Sequence, residues 1–162
     1  MTGLEDLGLR WVRFVGRAKD RIEEDVLRLL RFFRFQATFG NTSIDRDALA
    51  ACRLLAPRLK ELSAERVRSE LFRILEAPNP ADTMSLMRGE RVLEHVLPEA
   101  TNFGRLRMLS WLETTAINVP SVQPDTLRRL AAMLACDPTG HTDLSQRLRL
   151  SNSQAVRLSM MT

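Results

Sequence analysis

The chain has 162 residues, with 24 Lys+Arg against 20 Asp+Glu for a formal charge of +4, and 44% of its positions are apolar. With 27% charged residues, this composition excludes a disordered tail, a collagen-like fibre and a mucin-like stalk, and it can supply the core of one domain or two small ones. No window approaches the ~18 uninterrupted apolar residues of a membrane helix and no signal-peptide pattern opens the sequence, so a cytoplasmic location without a membrane partner is expected.

Helical periodicity dominates and strand patterns are scarce, which predicts an all-α fold. The spacing of Val26, Leu29, Leu30, Phe33 and Ala37 predicts a helix over 20–39, with Gly40 as its stop. A second helix is expected over 45–56, ending ahead of Pro57. Ser63 is expected to cap a third, which buries Val67, Leu71, Ile74 and Leu75 and ends before Pro78 and Pro80. Shorter helices are predicted over 81–87, 91–96, 103–117, 125–135, 142–150 and from 153 onward, with a loop at 118–124.

Chemistry-bearing clusters are few. His95 and His141 stand apart from other ligands, and Cys52 and Cys136 read as buried free thiols, so no metal site is expected. The D-x-D of Asp45, Arg46 and Asp47 sits at a predicted helix start, where capping explains it better than metal binding. Most of the methionines, including Met84, Met108 and Met160, read as core filler. Trp11 and Phe14 read as packed against a neighbouring domain. Residues 143–158 have the helix, break, helix form of a helix-turn-helix, in which Gln154 and Arg157 would face DNA, but two packed helices are the favoured account.

Charge is distributed unevenly. Of the 24 basic residues only Lys19 and Lys60 are lysine, and residues 10–34 carry eight basic against four acidic side chains, an excess equal to the whole net charge. Such a concentration suggests a polyanionic partner. On a helix, Arg21, Glu24, Asp25, Arg28, Arg31 and Phe35 share one face. Ion pairs of Arg21 with Asp25 and of Glu24 with Arg28 would make this a solvated face. Alternatively, an acceptor and a guanidinium one turn apart form a template for a nucleobase.

The runs VRFVG (residues 12–16), RIEEDVLRLLRFFRF (21–35) and LSAERVRSEL (62–71) together resemble the region after the catalytic head in the class II tRNA nucleotidyltransferase (CCA-adding) and bacterial poly(A) polymerase family. The resemblance is dense over residues 5–76. It implies a multi-helix neck, body and tail bundle, with residues 1–10 a remnant of the head connection, 11–76 the neck and RNA-binding region, and 77–162 the distal body and tail.

It further implies that Glu24, Asp25 and Arg28, as E-D-x-x-R, pair with the incoming nucleotide's base, and that Arg31, Arg34 and Phe35, as R-x-x-R-F, brace the helix and flank the nucleotide. Arg66 and Arg68 become RNA-binding candidates. Asp6 and Leu7 match the D-L that closes the head. Arg17 departs from the pattern, since the family commonly has Asp or Asn after the V-G.

The implied partners are tRNA or another RNA 3′ end, CTP or ATP, and a catalytic head domain; Mg2+ would accompany the nucleotide in the full-length enzyme. The Gly-Ser turn and metal-binding carboxylates of that head are not found in these 162 residues, so no catalytic residue is assigned and the chain is expected to be inert alone. The alternatives are a stand-alone RNA-binding module and the helix-turn-helix DNA reader.

Overall fold

The computed structural model describes residues 12–40, 44–116, 123–135 and 138–161. Among them are nine α-helices and no extended strand, in agreement with the all-α expectation. They are α1 (Ala18–Glu24), α2 (Leu27–Phe39), α3 (Arg46–Leu55), α4 (Ala64–Glu76), α5 (Pro80–Gly89), α6 (Phe103–Trp111), α7 (Thr126–Met133), α8 (Pro138–Arg147) and α9 (Asn152–Ser159). Short 3-10 turns cover Ala56–Glu61 and Leu93–His95, and a π turn covers Leu112–Ala116. No described helix is long and apolar enough to cross a membrane.

The helix predicted over 20–39 is in fact two. Asp25 adopts an extended conformation (φ −150°, ψ 104°) between α1 and α2, and its Oδ1 accepts the Leu27 N–H at 3.1 Å. A short carboxylate that bonds a backbone amide two residues on competes with the helical ladder. The break lets α1 pack on α3 while α2 packs on α4, so that Ile22 and Phe33, on the two pieces, are both fully buried. α2 does stop at Gly40, but with φ −67° rather than a left-handed cap. What Gly40 supplies is space, because a Cβ there would fall 2.6 Å from the Gln36 carbonyl oxygen.

Several helix starts are written in single residues. Asp45 Oδ1 accepts the amides of Asp47 and Ala48 at 3.0 and 3.1 Å, so the D-x-D is a helix cap, as expected. Ser63 caps α4 and Asp125 caps α7. Pro80 opens α5 in its first turn instead of ending α4. The helix expected over 91–96 reduces to the turn at Leu93–His95, and the one expected from 142 starts earlier, at Pro138.

One apolar core joins the helices. It includes Met84, Met87 and Met133, whereas Met108 and Met160 are exposed, the latter at 80%, which corrects their reading as filler. Phe14 stacks on Phe32 of α2 at 5.5 Å, so it has a packing partner within this chain. Cys52 is a buried free thiol, and burial pushes it well above its ordinary pKa. Cys136, Trp11, Asp6 and Leu7 lie outside the described residues.

Candidate functional site

The charged segment converges where α1 meets α2. Gly16 precedes α1 with φ +88°, a left-handed conformation that favours glycine, and Arg21 Nε reaches back to the Val15 carbonyl at 2.9 Å. Arg17, the departure from the family pattern, occupies the cap position of α1 and makes no capping hydrogen bond.

Glu24 takes a guanidinium from either side: Arg21 Nη1 at 3.1 Å and Arg28 Nη1 at 2.5 Å. The hydrogen bond from Arg28, then that from Arg21, holds the Glu24 carboxyl below the usual carboxylate range. The expected Arg21–Asp25 pair does not form, because the break turns Asp25 away and Arg21 bonds Glu24 instead.

Arg28 is therefore fixed at one end, where Nη1 also donates to the Arg21 carbonyl at 3.0 Å. Its Nε and Nη2 have no bond among the described residues, which leaves two donors on one edge of the guanidinium. Asp25 uses Oδ1 for the Leu27 amide and, at 3.5 Å, for Arg66 Nη2, while Oδ2 lies 3.8 Å from Arg31 Nη1. Asp25 Oδ2 thus makes no hydrogen bond among the described residues, with the Arg31 and Arg66 guanidinium groups around the carboxylate.

The second layer was missed from the sequence. Glu70 on α4 is buried at 5% side-chain exposure. Arg34 Nη1 reaches its two oxygens at 2.9 and 3.1 Å, and Arg31 Nε lies 3.6 Å away. Arg34 also sits 4.5 Å over the Phe35 ring. Its bracing role fits this geometry, in which Nη1 is engaged with Glu70. Glu70 lies in the apolar stripe of α4, between Val67 and Ile74, and that placement was the available signal.

Arg66 faces Asp25, whereas Arg68 turns the other way and donates to the carbonyls of Leu148 and Arg149. The structure thus gives Arg68 an internal role in tying α4 to the α8–α9 turn. A further cluster escaped the sequence reading altogether. Arg129 on α7 is 0% exposed and donates to Glu113 Oε2 at 2.6 Å and to the Leu75 and Ala77 carbonyls at 2.5 and 2.8 Å. It staples the end of α4 to the π turn. Arg128 shares the same carboxylate at 2.6 Å.

The helix-turn-helix alternative loses its readers, since Gln154 closes the capping box of α9 with Ser151 and Arg157 pairs with Asp125 at 2.7 Å. Among the described residues no three His, Cys, Asp or Glu side chains gather as a cation site.

Comparison with known proteins agrees with this architecture. Residues 41–103 match the family model described as "Probable RNA and SrmB-binding site of polymerase A". A CCA-adding enzyme of Streptococcus pneumoniae is 35% identical over 112 residues, which are 69% of this chain and 28% of that protein. The mitochondrial CCA tRNA nucleotidyltransferase 1 of Mus musculus is 33% identical across 94% of this chain and 34% of its own length.

The chain belongs to the CCA-adding enzyme family. It spans about a third or less of these relatives. In fold it is similar to the Thermotoga maritima CCA-adding enzyme solved in complex with tRNA, with a TM-score of 0.70 and 21% identity over 97% of this chain and 39% of that one. A CCA-adding enzyme solved with ATP gives 0.69 and 22% over 96% of this chain and 38% of that one. As a member of the CCA-adding enzyme family, the chain carries E-D-x-x-R at Glu24, Asp25 and Arg28, across the junction of α1 and α2.

Proposed function

We propose that this chain is the base-selecting and RNA-holding portion of a CCA-adding enzyme, whose whole adds CMP and AMP to RNA 3′ ends. The carrying observation is Arg28, which Glu24 holds by Nη1 while its Nε and Nη2 make no bond among the described residues, in the same short segment as the Asp25 carboxylate. Cytosine and adenine each present an amino donor next to an unprotonated ring nitrogen, while guanine and uracil present the opposite order. A carboxylate that accepts from the amino group and a guanidinium that donates to the ring nitrogen therefore favour C and A. Glu24 holds Arg28 in one rotamer, so less side-chain freedom is lost when a base arrives.

Family membership, and relatives solved with ATP, CTP and tRNA, support the same reading. Phosphoryl transfer and the Mg2+ that accompanies CTP or ATP would depend on carboxylates of a catalytic head, so the chain alone is expected to be inert. Poly(A) synthesis would use the same readers for adenine alone.

The test is Arg28→Ala in a form of the protein joined to a catalytic domain. Loss of C and A preference in an incorporation assay, with RNA affinity kept, is the expected result. Unchanged nucleotide choice would refute the assignment.

A further inference from the structure

α6 is polar on its buried side and apolar on its exposed side. Leu106, Ser110 and, in the π turn that follows, Glu113 are buried, and Ser110 Oγ donates to the Leu106 carbonyl at 2.8 Å. Met108 and Trp111, by contrast, are 58% and 52% exposed, and Leu109 and Leu112 are only half-buried. A surface helix ordinarily turns its apolar stripe inward, so an outward stripe calls for something to cover it. The stripe borders a groove of about 430 Å³ between α6 and α7, in which Ala131 and Ala132 of α7 leave room because their side chains are small.

Charge narrows what can fill the groove. Arg105 and Arg128 line it, and no carboxylate does. Arg105 is exposed and has no ion pair among the described residues. Arg128 and Arg129 share the one buried carboxylate of Glu113, so that cluster keeps a surplus positive charge. A second copy paired across a two-fold axis through this face would set arginine against arginine, which disfavours self-association. Tryptophan, methionine and arginine are residues enriched where proteins meet, and an apolar channel between two helices suits the ridge of a third.

We propose that the α6–α7 groove is a docking site for an amphipathic helix of another protein, one whose apolar stripe is flanked by acidic residues. Met108, Leu109 and Leu112 take its apolar anchors, and Trp111, one turn beyond Met108, extends that contact. Arg105 and Arg128 meet the acidic flank. The proposal is independent of the RNA-holding role above.

Trp11 and Trp111 are the two tryptophans of the sequence, so Trp11→Phe in the full chain makes Trp111 the sole tryptophan reporter. The probes are synthetic amphipathic helices with a leucine stripe flanked either by glutamates or by lysines, and phosphatidylglycerol vesicles. The glutamate-flanked helix is expected to move Trp111 emission to shorter wavelength, to shield it from acrylamide, and to bind about tenfold more tightly than the lysine-flanked one. Met108→Gln, which keeps the length of the side chain but not its apolar character, should weaken that binding by about tenfold, as for loss of one interface anchor. Arg105→Glu should reverse the preference between the two helices, a change that misfolding would not produce.

Equal binding of the two helices, or binding of neither with Trp111 open to acrylamide, overturns the proposal. Shielding of Trp111 in the chain alone overturns it too: shielding that grows with protein concentration makes the face a self-interface, and shielding that does not means the chain covers the face itself. Tighter binding to the vesicles than to either helix would make the face a membrane contact instead.

Discussion

Glu70 and Arg34 lock α4 to α2, with Arg34 Nη1 at 2.9 and 3.1 Å from the two carboxylate oxygens and side-chain exposures of only 5% and 17%. The same carboxylate draws in Arg31, which lies near Asp25. One buried acid therefore fixes the helix that carries Arg28. Glu70→Gln is expected to destabilise the chain by about 3–5 kcal/mol, because a buried guanidinium loses its counter-charge. The double variant Arg34→Leu/Glu70→Leu should recover much of that loss in denaturant unfolding. A loss under 1 kcal/mol for the single variant would show that water replaces the carboxylate.

Arg129 performs a comparable task without any solvent contact. Its guanidinium satisfies two carbonyls at the end of α4 and one carboxylate oxygen of Glu113. Arg129→Met removes those donors while roughly keeping the volume, and a loss of about 3–5 kcal/mol is expected, as for breaking other buried pairs. Thermal unfolding at neutral pH measures it, and an unchanged midpoint would contradict the assignment of Arg129 as a staple.

Arg17 points the opposite way, toward a gain. It holds the cap position of α1 without a capping bond, and its ion pair with Asp20, at 3.8 Å, is solvent-exposed and contributes little. A cation at a helix N-terminus also opposes the dipole. Arg17→Asp should raise stability by about 1 kcal/mol, as read by the urea midpoint at constant slope. A lower midpoint would mean that Arg17 has a favourable contact that outweighs the missing cap.

Asp125 sets a pH dependence. Burial opposes its ionisation, but the Arg128 amide and the Arg157 guanidinium outweigh that cost and hold the carboxyl below its ordinary value. A depressed folded-state pKa contributes stability that is present above the unfolded value, near ~4, and is lost as pH falls through the folded value. Asp125→Asn keeps a capping side chain but not the charge. Its unfolding midpoint should fall less than the parent's as pH drops below about 4, and parallel pH profiles would contradict the linkage.

What was legible in the sequence was what neighbouring residues decide. Asp45, Ser63 and Asp125 cap the helices they precede because the acceptor and the free amides lie within three residues of each other. The break at Asp25 was not legible, because it depends on which faces α1 and α2 find on α3 and α4. Nor were Glu70 and Arg129, since a charge on an amphipathic helix reads as solvated until its partner is known, and theirs lie 36 and 16 or more residues away. Glu24, Asp25 and Arg28 were nominated by the family resemblance, since their spacing alone fits a solvated, ion-paired face as well. Their geometry, with Arg28 held by Glu24 and Asp25 engaged as a cap, came only with the fold.

The most direct test of the account is a titration of this chain with tRNA and with duplex DNA of similar charge at several salt concentrations. A basic RNA-holding portion should prefer tRNA, and its affinity should fall steeply as salt rises, because each phosphate contact releases counterions. Equal binding of tRNA and duplex DNA, or no binding of either at low salt, would contradict it.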